Sequence, residues 1–137
     1  MSPGSHTAGE GRRALLAGAL LMALGTAVGA LGAHALRGQL APDRYAVLQT
    51  AVLYQFINAL GLLLIGVLQG RRADSRLRLA GDLLIAGVLL FSGSLYLLLA
   101  GAPRALGVLT PLGGLCLIGG WCVAALALWR GAHAASQ

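Results

Sequence analysis

The segment that decides the fold is LAGDLLIAGVLLFSGSLYLLLA, residues 79–100, in which Asp82 is the only charged side chain. A hydrocarbon core about 30 Å thick is crossed by roughly 20 apolar residues in α-helix, because each residue advances the helix by about 1.5 Å. Three more segments of this character lie at 14–36, 47–68 and 106–129. The chain is therefore predicted to be an all-α integral membrane protein, a bundle of four transmembrane helices.

The composition of the chain agrees with a membrane environment. Hydrophobic residues make up 58% of the 137 residues and charged residues only 10%, whereas about a quarter of an ordinary soluble domain is charged. A water-soluble four-helix bundle is disfavoured, since residues 83–90 are apolar on every side of a helix and leave no polar stripe for water. We expect a single membrane domain over residues 1–137, with flexible tails at 1–11 and 131–137.

The positive charges are predicted to set the orientation in the membrane. The formal net charge is +6, and it comes from ten arginines, no lysine and four acidic residues. In a four-span topology, seven arginines fall on the side of the two termini, and only Arg37, Arg44 and Arg104 fall on the other. The positive-inside rule then places both termini and the middle loop in the cytoplasm.

The middle loop carries a basic cluster of four arginines: Arg71, Arg72, Arg76 and Arg78. We interpret this cluster as a topology determinant that contacts anionic lipid headgroups. A docking loop for nucleic acid or protein is the alternative. It is disfavoured because the basic charge follows the membrane topology, and no nucleic-acid partner is expected.

The first span also has features of a cleaved signal peptide. Arg12 and Arg13 precede the apolar segment, and Ala33-His34-Ala35 matches the A-x-A pattern of a signal-peptidase site. The apolar segment is nevertheless longer than a usual signal h-region of about 7 to 15 residues, and it carries a helix-packing pattern. We therefore favour a retained first helix.

Small residues recur at helical spacing in the first and last spans. Residues of this kind let two membrane helices approach closely, which drives their association where lipid is as apolar as the helices. We expect packing within the chain rather than homodimerisation. The predicted packing positions are Gly25, Gly29, Ala33, Gly113, Gly120 and Ala124.

Polar residues inside the spans are the exceptions that need a partner, because the membrane interior offers no water. Most of them fall in the half of the membrane opposite the termini, and Thr50, Tyr54 and Asn58 share one face of the second helix. One interpretation is a pocket open to the outside that binds a small polar group; the favoured one is a set of hydrogen bonds that fix the helix register. The candidate residues are His34, Thr50, Tyr54, Gln55, Asn58, Ser92, Ser94 and Tyr96.

Catalysis is not expected from the pattern of reactive residues. His6, His34 and His133 lie in separate parts of the chain, and no nucleophile with a base or paired carboxylates can be identified. Cys116 and Cys122 are six residues apart, on different faces of one helix, so a shared metal is disfavoured. Asp82 is expected to act as a solvated cap in the first turn of the third helix. We expect no enzyme activity, no metal and no cofactor.

Four short motifs follow one another along the chain: GALGAHAL at 29–36, Tyr54-Gln55 before Ala59-Leu60, FSGSLY at 91–96 and TPLGG at 110–114. In this order they resemble the YgdD-like family of small bacterial membrane proteins. The resemblance covers roughly residues 20–128 and implies a four-span protein of the bacterial plasma (inner) membrane. The family includes a eukaryotic small transmembrane relative and has no assigned activity. In the family pattern a histidine stands where this chain has Asn58, so no proton-transfer role carries over to that position.

Two classes of function remain open at this point. The favoured one is a non-catalytic structural or accessory component of the membrane, either a homo-oligomer or a small subunit of a larger complex. The alternative is a small binding or conduction module that holds a polar solute, a lipid headgroup or a quinone in the outer-half pocket. An accessory role predicts co-purification with a larger assembly, whereas a pocket predicts polar side chains that lack partners.

Overall fold

The computed structural model describes residues 4–134 of the chain and the side chains of residue 9 and residues 11–131. Four α-helices account for most of this part: α1 (Gly4–Leu31), α2 (Pro42–Arg71), α3 (Ser75–Leu99) and α4 (Leu109–Ala134). A π-helical turn, Gly32–Leu36, extends α1, and a 3₁₀ turn, Arg104–Val108, leads into α4. All four helices are long and apolar enough to span a membrane, which confirms the predicted fold.

The helices pack in the order of the chain. Consecutive helices are antiparallel, with α1 against α2, α2 against α3 and α3 against α4. The start of α1 at Gly4, the end of α4 at Ala134 and the α2–α3 connection lie at one end, called the terminal end here. The two other connections lie at the opposite end, called the loop end. The helix α2 is the most buried of the four.

The outer surface of this bundle is apolar over its whole girth. Large aliphatic side chains are exposed on every helix, among them Leu20 (70%), Leu64 (55%), Leu89 (60%) and Leu115 (66%). The compact interior is smaller, and Leu62, Leu84 and Val88 form its centre. Such a surface is stable in hydrocarbon and would aggregate in water, so lipid is the solvent of this fold.

The helix ends differ from the sequence-based expectation at the terminal end. Asp74 caps α3 by accepting a hydrogen bond from the Arg76 amide (2.9 Å), so Asp82 lies two turns inside the helix and is not its cap. The predicted loop at 69–78 shrinks to residues 72–74, because α2 stays helical to Arg71. The predicted flexible tails are helical over residues 4–11 and 131–134, and their remaining residues lie outside the described chain.

The α3–α4 connection uses one glycine for its backbone conformation. Gly101 has a φ of +94°, a value that side chains with a Cβ adopt at a cost. Its amide donates to the carbonyl of Leu98 (3.2 Å), and the amide of Ala102 donates to that of Leu97 (3.0 Å). This is the Schellman arrangement, which satisfies the last carbonyls of α3 and turns the chain toward α4.

Candidate functional site

The structure places most of the candidate polar residues inside the protein. Gln55, Asn58, Ser92 and Ser94 are each at most 2% exposed. Buried polar groups require hydrogen-bond partners, and in lipid the requirement is stricter because water cannot substitute. The partners of these four side chains therefore decide between a binding pocket and a packing role.

Gln55 of α2 connects three helices through its amide. Its Nε2 donates to the carbonyl oxygen of Leu21 in α1 (2.7 Å), and its Oε1 accepts from the hydroxyl of Tyr96 in α3 (2.7 Å). The side chain passes close to Gly25, where a methyl group would lie 3.3 Å from Nε2. Gln55 thus fixes the rotation of α2 relative to both neighbours.

Asn58, one turn further along α2, connects to the last helix. Its Nδ2 donates to the carbonyl of Tyr54 on its own helix (2.8 Å), and its Oδ1 accepts from the indole Nε1 of Trp121 in α4 (2.9 Å). Gly61 provides the space for that indole, since a methyl group there would lie 2.7 Å from the Trp121 ring. The sequence analysis did not identify Trp121, although a tryptophan at mid-depth of a span needs a hydrogen-bond acceptor.

The two serines of the FSGSLY motif tie α3 to the helices on either side of it. The Ser92 hydroxyl donates to the carbonyl oxygen of Ala51 in α2 (2.8 Å). The Ser94 hydroxyl donates to Phe91 O on its own helix (2.9 Å) and shares a hydrogen bond with the Thr110 hydroxyl in α4 (2.7 Å). A hydroxyl can both donate and accept, so both contacts of Ser94 form together.

Three other candidates lie at the surface. The Thr50 hydroxyl donates to the carbonyl of Ala46 on its own helix (3.0 Å). Tyr54 is 43% exposed, and its ring packs against Phe91 at a centroid distance of 4.7 Å. His34 is exposed in the π-helical turn at the loop end, away from the buried group. The structure therefore does not bring all eight candidates to one cavity.

The buried members and their side-chain partners form several separate hydrogen-bonded contacts between helices, which together are called the polar network here. It consists of Gln55, Asn58, Ser92, Ser94, Tyr96, Thr110 and Trp121. Its hydrogen bonds link α1 to α2, α2 to α3, α3 to α4 and α2 to α4. Because its members use their polar atoms on one another and on backbone carbonyls, this arrangement favours the fixed helix register over an open pocket.

A lipid-facing groove borders the network between α2 and α4. Its volume is about 530 Å³, and Tyr54, Asn58, Phe91, Trp121 and the exposed Cys122 are among its lining residues. Cys122 faces outward on α4, so its thiol is not part of the packed core. The groove is mostly apolar, so it could hold an acyl chain or a flat, weakly polar ring.

Glycines of the first hairpin form a close contact between α1 and α2. A methyl group at Gly11 would lie 2.9 Å from the carbonyl oxygen of Gly66, and one at Gly18 the same distance from that of Ala59. Gly25 and Gly32 continue this line at the same seven-residue spacing. Two helices that cross at a shallow angle meet at this period, so the line runs along the whole contact.

The predicted packing positions of α1 fit this line only in part. Gly25 lies on it, and Gly29 lies beside it in ordinary contact with Val52, 3.4 Å from the position of a methyl group. Ala33 is exposed, and Gly32 meets Leu48 of α2 instead. The reason is that the contact line repeats every seven residues, so it passes from Gly25 to Gly32 and leaves Ala33 to one side.

The second hairpin has a similar small-residue contact. A methyl group at Gly120 would lie 2.8 Å from Leu84, and one at Gly113 would collide with the backbone of Leu90 and Phe91. Ala124 is 5% exposed and belongs to the same contact. The predicted positions in α4 therefore pack within the chain, and Gly87 of α3, which the sequence analysis missed, packs against Leu117 from the other side.

The basic cluster lies at the terminal end with the other arginines of that side. The Arg72 guanidinium donates to the carbonyl of Ala127 near the end of α4 (2.9 Å), where the helix dipole favours a cation. Arg71 and Arg78 are exposed, and Arg76 is half-buried. Asp82 pairs with Arg13 of α1 at 3.3 Å, in an ion pair that is open to solvent.

At the loop end, Arg44 makes the same kind of hydrogen bond to the C-terminal end of α3. Its guanidinium donates to the carbonyl of Leu99 (2.7 Å), one of the last carbonyls of that helix. Among the residues described, no group of three or more His, Cys, Asp or Glu side chains is placed to hold a metal ion.

Fold and polar network together define a polytopic α-helical membrane protein whose intramembrane polar groups join its helices. Residues 28–114 match the model of a family described as protein of unknown function, DUF423, so the chain belongs to that family. It is 40% identical to a UPF0382 membrane protein of Staphylococcus haemolyticus over 85% of this chain and 94% of the relative. It is 39% identical to the UPF0382 membrane protein YwdK of Bacillus subtilis over 82% and 93%. No solved structure matches it.

These comparisons confirm the expected membership of a family of small bacterial membrane proteins without an assigned activity. The matched region begins in the second half of α1 and ends in the first turns of α4, so it contains the whole α2–α3 pair. Five members of the polar network lie on that pair, and Thr110, in the first turn of α4, also lies within the matched region. The family match therefore covers most of the polar network.

Proposed function

We propose that this chain is a non-catalytic structural or accessory component of the bacterial plasma membrane, with both termini in the cytoplasm. The observation that carries the proposal is the polar network, whose buried side chains use their polar atoms to hold the four helices in register. A catalytic or transport site keeps polar groups available for a substrate. The arginine distribution and the bacterial membrane relatives support the location.

An accessory protein needs a surface to which its partner can bind. The glycine contacts of the two hairpins, α1–α2 and α3–α4, are not available for this, because they are used within the chain. The face of α1 turned away from α2 is suited to this role. It carries small exposed side chains, Ala19, Ala23, Ala27 and Ala30, at positions where lipid-facing helices usually carry larger ones. A helix of a larger complex or of a second copy could approach closely there.

The test is extraction of the tagged protein at native abundance into nanodiscs, followed by native mass spectrometry of what stays bound. The proposal predicts a stoichiometric protein partner, either a larger assembly or a second copy. Ala23→Leu is expected to reduce that partner severalfold, since a close helix contact does not admit the larger side chain. Ala125→Leu, an equivalent change at an exposed position of α4, is the matched control.

The second candidate function is a binding module for a lipid or a quinone, and the groove between α2 and α4 favours it. Tyr54, Phe91 and Trp121 offer three aromatic rings to a flat ligand at mid-depth in the membrane. In the same native mass spectrometry measurement, this function predicts that the protein carries a defined small molecule and no protein partner. The small molecule should be absent from the Tyr54→Ala variant. That result would replace the accessory role.

A further inference from the structure

A small cavity lies at the terminal end, between α1 and α3. Its volume is about 30 Å³. Its walls come from three helices: Arg13 and Ala14 of α1, Gln69 of α2, and Arg78, Gly81 and Asp82 of α3. Space of this size holds one group as large as a water molecule or a hydroxyl.

Gln69, one of the lining residues, has an unsatisfied hydrogen-bond acceptor. The residue is only 5% exposed, and its Oε1 is buried without a hydrogen-bond partner in the described part of the chain. A buried acceptor without a donor is costly, and native structures satisfy nearly all such atoms. No described residue donates to this atom, and a donor bound in the cavity would satisfy it.

The charges at the rim of the cavity indicate what kind of molecule carries the hydrogen-bond donor for Gln69. Arg13 and Arg78 contribute two positive charges, and Asp82, paired with Arg13, contributes one negative charge. The rim is net positive, and it lies on the end of the protein that carries most arginines. A guanidinium has five N–H donors, so the ion pair to Asp82 leaves donors of Arg13 for an anion.

The surface of α1 above the cavity is apolar. Leu20 (70% exposed) and Leu24 (53% exposed) follow Arg13 by seven and eleven residues, helix rises of about 10 and 16 Å. One leaflet of a hydrocarbon core about 30 Å thick is about 15 Å deep, so the acyl chain of a lipid held at Arg13 reaches these side chains. An apolar cavity of about 410 Å³, lined by Leu24, Leu31 and Leu99 among others, begins at this depth and extends to the loop end.

We propose that the terminal-end cavity is the headgroup site of an anionic phospholipid with a hydroxyl-bearing headgroup, namely phosphatidylglycerol. The phosphodiester accepts hydrogen bonds from Arg13 and Arg78, and a glycerol hydroxyl donates to Gln69 Oε1. The acyl chain follows the face between α1 and α3. This site goes beyond the accessory role and does not depend on it.

The experiment offers delipidated protein an equimolar mixture of phosphatidylglycerol, phosphatidylmethanol and phosphatidylcholine with identical acyl chains, and native mass spectrometry counts what is retained. Phosphatidylmethanol has the same phosphodiester charge without a hydroxyl. The wild-type protein is expected to prefer phosphatidylglycerol about fivefold, the ratio that one hydrogen bond provides. Both anionic lipids are expected to exceed phosphatidylcholine.

Two variants separate the contributions of acceptor and charge. Gln69→Leu should retain the two anionic lipids equally, while Gln49→Leu, at an exposed glutamine near the loop end of the same helix, keeps the preference. Arg13→Gln with Arg78→Gln should remove the advantage over phosphatidylcholine, and Arg37→Gln with Arg104→Gln is the control.

Three outcomes would overturn the proposal. Equal retention of phosphatidylglycerol and phosphatidylmethanol by the wild-type protein would mean that water fills the cavity. An unchanged preference in Gln69→Leu would place the hydroxyl elsewhere. If phosphatidylethanolamine is added to the mixture and is retained more than phosphatidylglycerol, an ammonium group, and not a hydroxyl, satisfies the acceptor. If Gln69→Leu does not fold, the retention of phosphatidylglycerol relative to phosphatidylmethanol by the wild-type protein alone tests the proposal.

Discussion

Asn58 and Trp121 show how a single pair of residues joins two helices that are not neighbours in the chain. Each has a polar group that would be costly to leave unpaired in hydrocarbon, and the 2.9 Å hydrogen bond between them satisfies both. Gly61 makes this contact possible, since the side chain of any other residue there would collide with the indole ring of Trp121. The pair ties α4 to α2 across α3.

Trp121→Phe tests the contribution of this hydrogen bond. The variant keeps an aromatic ring against Gly61 but removes the donor to Asn58 Oδ1. We expect the free energy of unfolding in bicelles to fall by about 0.6 kcal/mol, the average for hydrogen bonds between membrane helices, and by no more than about 1.7 kcal/mol, the largest value found for them. Steric trapping measures this quantity within a bilayer environment.

The same substitution in an Asn58→Leu background is the control, because the acceptor of the Trp121 indole is then already absent. An equal loss from Trp121→Phe in both backgrounds would contradict the prediction, since the cost would then come from the smaller ring and not from the hydrogen bond.

Single residues were predictable from the sequence where their chemistry demanded a partner. Gln55, Asn58 and the serines of α3 stand out as polar groups within apolar spans, and all are buried and paired. Their partners were less predictable, because backbone carbonyls such as those of Leu21 and Ala51 carry no sequence signal. Gln69 was overlooked, since a polar residue near a helix end gives no sign of burial.

The two hairpins are the next level of organisation, and their glycines set how closely the helices pack. Gly113 of α4 lies directly against the backbone of α3, whereas Gly93 of α3 has no atom within 4 Å of the position where a methyl group would be. Both glycines lie in the second hairpin, but only Gly113 is at a position where an added methyl group would meet another helix.

Gly113→Ala and Gly93→Ala provide a matched comparison of these two positions. An added methyl group in a filled contact costs about 1 to 3 kcal/mol, so Gly113→Ala should lower the free energy of unfolding by that amount. Gly93→Ala should leave it unchanged or raise it by up to about 1 kcal/mol, because alanine is the better helix former. Equal effects of both variants would show that the α3–α4 contact is looser than described.

The connection between α3 and α4 allows a test of backbone conformation alone. Gly101→Ala places a Cβ at a residue with a φ of +94°, and nothing else lies within 4 Å of it. We expect the free energy of unfolding to fall by about 1 kcal/mol. Gly70→Ala, in α2 and equally unobstructed, should show no such loss. A neutral Gly101→Ala would mean that the turn adapts.

The spans were predictable from hydropathy, but the contact lines between helices were only partly so. A four-residue spacing drew attention to Gly25 and Gly29, whereas the structure uses the seven-residue spacing of Gly11, Gly18, Gly25 and Gly32. Spacings of three and four residues both occur on any helix face, and only the crossing angle of the partner selects between them. That angle is a property of two helices together.

At the scale of the whole molecule, the charges and the connections agree on one orientation. The terminal end holds the basic cluster, Arg12, Arg13 and Arg130, while the loop end holds three arginines, one of which caps α3. The hydropathy profile predicted the four spans. It did not predict that α1 and α4 occupy the two edges of the bundle, because the lipid-facing and buried faces of such apolar helices have similar compositions.

Reporter fusions test the orientation of the entire chain. Green fluorescent protein fused after Gln137 should fluoresce, and alkaline phosphatase inserted at Gly38 or Gly101 should be active, because the loop end is expected to face the periplasm. Neutralising Arg71, Arg72, Arg76 and Arg78 should weaken this bias and give a mixed topology. Active phosphatase at the C-terminus of the unaltered chain would contradict the assignment.

The central claim is that the buried polar residues hold the helices together, and a double-mutant cycle on Gln55 and Tyr96 tests it most directly. The free energies of unfolding of Gln55→Leu, Tyr96→Phe and the double variant give the coupling energy of the 2.7 Å hydrogen bond between α2 and α3. The account predicts a favourable coupling of about 0.6 kcal/mol or more. A coupling of zero, with both single variants as stable as the wild-type protein, would contradict it and assign these side chains to a ligand.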